Sequence, residues 1–258
     1  MDFRRGESME FRVVCNKGRV RENNEDAYKI YNPKDETFSF CIVADGMGGH
    51  NGGEIASSLA VNELARYVLD SYKNQYIDKE KQLLEDAIKH ANRKVFTKAQ
   101  QTPHLLGMGT TLTVAFFKKG YVYIGNIGDS RAYLFRNDTI TQLTLDHSYV
   151  AELVRKGKLT KREARHHPQK HMITRAVGTE KDIEVDVFCR KLMPEDVIIL
   201  CTDGLTNMLD DEEITNILRN SGFKESPQKL VDTANEKGGY DNITVILARC
   251  EGFWYNEG

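Results

Sequence analysis

Two long helical patterns interrupt a series of short β-branched and aromatic runs, and this grouping constrains the fold more than any other feature of the chain. The strand-like runs cover about 11–15, 39–44, 110–117, 122–127, 132–136, 183–188, 197–202 and 243–249, and Val, Ile, Thr, Tyr and Phe dominate them. Between the second and third runs lie helices over about 53–71 and 79–101. The first places Ile55, Leu59, Leu64 and Val68 near one face; the second does the same with Leu84, Ala87, Ile88, Ala91, Val95 and Ala99. Two more helices are expected over about 211–219 and 226–237, with Asp211 and Ser226 as N-caps. Residues 110–136 read as a meander that turns at Lys118-Lys119-Gly120 and Gly128-Asp129-Ser130. Helices in pairs, separated by groups of strands, predict an α+β sandwich rather than a doubly wound α/β sheet.

The length of 258 residues, 40% of them hydrophobic, suits one large domain or two small ones with a substantial core. A net charge of −2 with no basic stripe argues against nucleic acid as a partner. Five cysteines without a C-x-x-C spacing read as reduced, mostly buried thiols of a cytoplasmic protein. No apolar run approaches the roughly 20 residues needed to cross a bilayer, so no membrane insertion is expected. Residues 1–9 lack the apolar core of a signal peptide and read as a disordered lead-in. Residues 147–175 are charged, short-helical and histidine-rich, and look like an insertion.

Carboxylates mark the chemistry. Asp45 and Asp203 each follow an apolar run and precede a glycine, while Asp241 stands just before such a run. Glu25 and Asp26 follow the basic segment Arg19-Val20-Arg21. Carboxylates gathered at one rim without lysine or arginine partners repel one another unless a cation lies between them. An all-oxygen set selects hard ions such as Mg²⁺ or Mn²⁺, whereas zinc favours His and Cys at close spacing. His166, His167 and His171 lie in the insertion, away from the strand ends, and read as a solvated helical face. The glycine-rich stretch from Asp45 to Gly53 lacks the lysine of a phosphate-binding loop, but suits a metal-site turn with the Gly46 carbonyl as a further oxygen ligand. Taken alone, Asp129 is ordinary turn chemistry. Arg21 alone is a solvated charge, or a clamp for an anion.

Eight short motifs in order, Arg21-x-x-Asn24-Glu25-Asp26, Val43-Ala44-Asp45-Gly46-Met47-Gly48-Gly49-His50, Gly109-Thr-Thr-Leu112, Gly128-Asp129-Ser130-Arg131, Leu143-Thr-x-Asp-His147-Ser148, Thr174-Arg-Ala-Val-Gly178, Cys201-Thr202-Asp203-Gly204 and Asp241-Asn242-Ile243-Thr244, resemble the metal-dependent protein phosphatases of type 2C. The likeness is to the bacterial serine/threonine branch of that family. It implies two stacked antiparallel sheets with helix pairs on both outer faces, a four-layer α-β-β-α sandwich. It implies that residues 10–258 form a single catalytic domain and that 147–175 is its flap. By resemblance, Asp45 bridges two ions, with the Gly46 carbonyl on one and Asp203 and Asp241 on the other. Glu25 and Asp26 match positions that hold metal-bound waters, and Arg21 the arginine that grips the substrate phosphate. Asp129 with Asp203 matches a third metal site.

The resemblance therefore implies hydrolysis of phosphoserine and phosphothreonine on phosphorylated proteins, with two Mn²⁺ or Mg²⁺ ions per subunit and a third. A cognate serine/threonine kinase, cytoplasmic signalling and a monomeric state come with it. Met47 stands where many eukaryotic relatives have a histidine proposed as general acid, which leaves a water or His50 to protonate the leaving group. The rival expectations are an inactive module that keeps the fold, and another two-metal hydrolase such as a nuclease, which would want a basic groove.

Overall fold

A computed structural model describes residues 9–34, 38–49, 52–76 and 78–250. Strands β1 (Met9–Asn16), β2 (Asp26–Tyr31) and β3 (Phe38–Met47) lead into helices α1 (Gly52–Gln75) and α2 (Glu80–Gln101). Then come β4 (Gly109–Thr110), β5 (Leu112–Lys118), β6 (Tyr121–Ile127), β7 (Arg131–Arg136) and β8 (Thr139–Gln142). Two short helices, α3 (Tyr149–Arg155) and α4 (Lys161–Arg165), occupy the insertion. Strands β9 (Asp186–Lys191) and β10 (Val197–Cys201), helices α5 (Asp203–Thr206) and α6 (Asp211–Glu236), and strand β11 (Ile243–Cys250) follow.

The strands form two antiparallel sheets, one in the order β1-β11-β10-β7-β8, the other β2-β3-β5-β6-β9 with β4 added beside β3. Period-two alternation explains how three apolar layers arise from them. In β3, Phe40, Ile42 and Ala44 face α1 and α2, where Ala60, Leu64, Leu84, Ile88 and Val95 complete the first layer. The alternate residues Cys41 and Val43 face the other sheet and meet Ile198, Leu200, Ile246 and Ala248 in the second. The remaining face of that sheet, Ile199, Cys201, Val245 and Leu247, packs on Leu205, Ile214, Leu230 and Val231 in the third. Strands buried on both faces read as continuous apolar runs, which is why β3, β10 and β11 were legible. The expected α+β sandwich, with helices outside two stacked sheets, is what the chain forms.

Details differ from the sequence expectations. Strands β2 and β8 are edge strands with charged or polar residues and carry no apolar run. Strand β9 starts at Asp186 rather than 183, because its partner β6 offers pairing only as far as Asn126 opposite Asp186; Ile183 and Val185 instead pack on the helical layer. Asp45 is inside β3 rather than at its end, since β4 pairs with Gly46 and Met47 and extends the strand. The two C-terminal helices are the halves of α6, broken at Gly222 (φ 70°, ψ 167°). Their caps also differ. Asp210, not Asp211, accepts from the Glu213 amide at 2.9 Å, and Glu213 returns a bond to the Asp210 amide at 3.1 Å. Ser226 lies inside the second half and donates to the Gly222 carbonyl. Residues 1–8 of the expected lead-in lie outside the described residues, and Met9 is already in β1. No helix among the described residues is long and apolar enough to cross a membrane.

Leu64, fully buried between α1 and the sheet, tests the layer packing. Leu64→Ala is expected to cost about 2–5 kcal/mol, read from urea denaturation midpoints at unchanged m-value.

Candidate metal centre

The ends of β10 and β11 and the strands β2 and β3 bring carboxylates from distant parts of the chain to one rim. Asp26 and Asp45 are directly opposite each other in the β2–β3 register, a cross-strand pair of like charges that destabilises a sheet when both ionise. Asp203 begins α5 just after β10, and Asp241 precedes β11. Asp129 sits in the β6–β7 turn.

Asp45 is held by its backbone. Its amide donates to Thr111 Oγ1 at 2.9 Å, and its carbonyl accepts from the Thr111 amide and the Thr110 hydroxyl, both at 2.9 Å. Thr111 Oγ1 also lies 2.7 Å from Ser130 Oγ, which ties Asp45 to the turn of Asp129. Gly46 must be glycine here, because a Cβ would stand 2.1 Å from the Gly53 carbonyl oxygen. Asp26 reaches across the two sheets: its Oδ2 accepts from Thr202 at 2.9 Å and from Thr244 at 2.6 Å. Asn207 donates to Asp203 Oδ2 at 2.8 Å. The buried Asn242 amide accepts from the Glu25 amide at 2.8 Å and donates to the carbonyls of Lys17 (2.8 Å) and Asn23 (2.9 Å), so one side chain fixes the loop of Arg21 and Glu25 beside Asp241.

The electrostatics are those of crowded, desolvated acids. Burial pushes Asp26 up to about 7, and the charges of Asp203 and Asp241 add to it against two hydroxyl bonds. Asp45 is held well above the usual carboxylate range by burial, then by Asp26, Asp203, Asp129 and Asp241. Asp129 is raised likewise by burial and by Asp203 and Asp146, with Arg131 opposing. Burial and Asp241 raise Asp203, and the bond from Asn207 offsets part of the rise. Glu25 is raised by burial against the pull of Arg21.

Two expectations need correcting. The acids are not free of basic partners, since Arg21 Nη2 pairs with Asp241 Oδ2 at 2.8 Å and Arg131 acts on Asp129. The insertion histidines do not lie on a helical face, for α4 ends at Arg165 and they follow it, with His166 and His171 exposed to solvent as expected. His50 lies outside the described residues. The hydroxyls and amides of Thr111, Thr202, Asn207, Asn242 and Thr244 were given no role from sequence. All but Asn207 sit inside the quoted motifs, and that was the available signal.

Among the described residues no three acidic, histidine or cysteine groups already enclose one point as a ligand set. The acids act on one another through their charges, and one of them, Asp241, is paired with Arg21. Two buried oxygens, Asp26 Oδ1 and Asp203 Oδ1, have no hydrogen-bond partner. Orphaned buried acceptors are rare and costly. Hard oxygen donors, like-charge crowding and unsatisfied lone pairs together fit a divalent cation of the Mg²⁺ or Mn²⁺ type.

Comparison with known proteins agrees with this reading. The family model described as protein phosphatase 2C matches residues 18–248. The serine/threonine phosphatase stp of Listeria welshimeri is 41% identical over 239 residues, covering 92% of this chain and 94% of the relative. The solved serine/threonine phosphatase Stp1 of Staphylococcus aureus superposes with a TM-score of 0.88 at 36% identity, covering 98% and 99% of the two chains. The catalytic domain of the phosphatase PstP, solved with two manganese ions, superposes with a TM-score of 0.80 at 34% identity over 93% of this chain and 97% of that one.

An acid raised in the folded state binds more protons there than in the unfolded chain, so stability falls as pH rises between the two pKa values. In chelator, the melting temperature is therefore expected to fall between pH 3.8, the ordinary aspartate value, and about 7, the value for Asp26. Asp26→Asn should flatten that slope. A slope identical to that of the wild type would contradict the assignment.

Proposed function

This chain belongs to the protein phosphatase 2C family and is a protein serine/threonine phosphatase, and from that premise we propose that hydrolysis takes place at the rim shared by Asp45, Asp203 and Asp241. The observation that carries the proposal is the pair of orphaned buried oxygens, Asp26 Oδ1 and Asp203 Oδ1, amid acids whose charges raise one another's pKa. Asp45, the Gly46 carbonyl, Asp203 and Asp241 would hold two divalent cations. Asp129 with Asp203 would hold a third, and Glu25 and Asp26 would orient waters around them. When bound, such a pair of cations supplies an acidified water as nucleophile and neutralises charge on the phosphoryl oxygens.

The residues of the chain do the rest. Arg21 stays charged, since Asp241, Asp45 and Glu25 together outweigh its burial. Its side chain is 49% exposed at the rim, so its remaining N–H donors can take two phosphoryl oxygens. Asn207 fixes one oxygen of Asp203, and the other is left without a protein partner, turned to the shared rim. Met47 cannot protonate the leaving serine or threonine, so the acid is sought outside this residue. Residues 10–258 act as one catalytic unit. The stretch 147–175, with Lys156, Lys158, Lys161, Arg162, Arg165 and Lys170, is its basic flap, drawing an anionic substrate towards the rim.

The substrates are phosphoserine and phosphothreonine on proteins, set against a serine/threonine kinase in cytoplasmic signalling, and the enzyme works as a monomer. Mn²⁺ is the first choice of ion because the solved PstP domain holds two of them.

Asp203→Asn, assayed on a phosphothreonine peptide with Mn²⁺, should lower kcat/KM at least about 100-fold, as removal of a metal-holding charge does; undiminished turnover would sink the proposal. Arg21→Ala should raise KM about 10-fold or more with a smaller change in kcat, the worth of a charge-assisted phosphate contact. A kcat loss with KM unchanged would move Arg21 out of substrate binding.

A further inference from the structure

His147 is only 3% exposed and is used by nothing in the proposed hydrolysis. Its Nδ1 accepts the Gly128 amide at 3.1 Å, and its own amide donates to the Gly128 carbonyl at 3.0 Å. Gly128 precedes Asp129 and has φ +102°, with Thr111 so close that a Cβ would stand 2.6 Å from its side chain. On its other side, His147 Nε2 lies 3.2 Å from Asp186 Oδ2 in β9. Asp186 Oδ1 in turn accepts from Arg175, at the far root of the insertion, at 3.3 Å. The His147 carbonyl accepts from the Thr174 amide at 2.8 Å, and Ser148 bridges to Ile173. The imidazole thus touches the turn of Asp129 on one side and Asp186 on the other, while the backbone of His147 and the Asp186–Arg175 pair tie it to both roots of the 147–175 insertion.

Hydrogen-bond chemistry fixes its form. The Gly128 N–H is a donor, so Nδ1 must be unprotonated; the proton is on Nε2 and is donated to Asp186. An imidazolium would set two N–H groups against each other at Gly128. Burial holds the ring below the ordinary histidine range, with Arg175 and Arg155 on the same side and Asp186 opposing.

We propose that His147 is a positioning residue that fixes the Asp129 turn and couples it to the placement of the flap. The inference rests on the hydrolytic reading only for the role of Asp129. Movement of Arg175 is passed through Asp186 to the ring, and through the ring to the Gly128 amide. A substrate or effector that shifts the flap then alters how Asp129 is presented.

Two substitutions separate the two nitrogens. His147→Asn keeps an acceptor where Nδ1 stands; His147→Gln reaches towards Asp186 and leaves the Gly128 amide without a partner. Amide exchange at Gly128, followed by NMR in chelator, should stay within about threefold of wild type in H147N and rise roughly tenfold or more in H147Q. The kcat on a phosphothreonine peptide with Mn²⁺ should fall further in H147Q than in H147N, at similar melting temperatures. Equal Gly128 exchange in both variants overturns the proposal, as does separated exchange with equal kcat. Where neither variant folds, the ¹⁵N spectrum of the wild-type ring decides: a proton on Nδ1 overturns the proposal, and one on Nε2 supports it. Separated exchange with no phosphatase activity even in the wild type would sink the hydrolytic reading and leave the positioning of the turn standing.

Discussion

Mutual repulsion among Asp26, Asp45, Asp129, Asp203 and Asp241 is the constraint around which this molecule is arranged. A folded chain gains nothing in stability by placing Asp26 opposite Asp45 across two strands. It tolerates the arrangement because three apolar layers, each running the width of a sheet, supply the stability elsewhere. The acids are also dressed individually. Hydroxyls serve Asp26, an amide serves Asp203 and a guanidinium serves Asp241. What is left over, two buried oxygens without partners, is the part that a cation would complete.

The sandwich makes such crowding reproducible. Strands β10 and β11 are neighbours and antiparallel, so the residue after one and the residues before the other emerge at the same end. Strand β3 of the second sheet delivers Asp45 there, held through Thr111 to the turn of Asp129. Asn242 then pins the loop of Arg21 and Glu25 to the start of β11. Asp45 is fixed by backbone bonds, and the loop of Arg21 and Glu25 by Asn242, none of which depends on a carboxylate charge. The geometry can therefore persist whether the acids carry protons or a cation.

The central strands and the helix pairs were legible because burial on one face or two leaves a period in the sequence. Asp45, Asp203 and Asp241 were legible because each stands where such a run begins or ends. Strand β2 was not, since its residues Asp26 and Lys29 break any apolar pattern, and only the register with β3 makes it a strand. The bonds of Asp26 to Thr202 and Thr244 span 176 and 218 positions, and the Arg21–Asp241 pair spans 220. No local pattern encodes contacts of that range. His147 was visible only as part of a motif, and its two partners, on opposite sides of the ring, come from the fold.

Crowding and burial favour the protonated forms of these acids, and a divalent cation would take the place of the protons. Calorimetric titration with Mn²⁺ at about pH 6, in two buffers of different ionisation enthalpy, measures both partners of that exchange. Ligand binding that displaces protons from acids such as Asp26, with its value of about 7, predicts Mn²⁺ uptake with heats that differ between the buffers by a net proton release. No uptake, or uptake with heats independent of the buffer, would mean that the acids do not exchange protons for a cation.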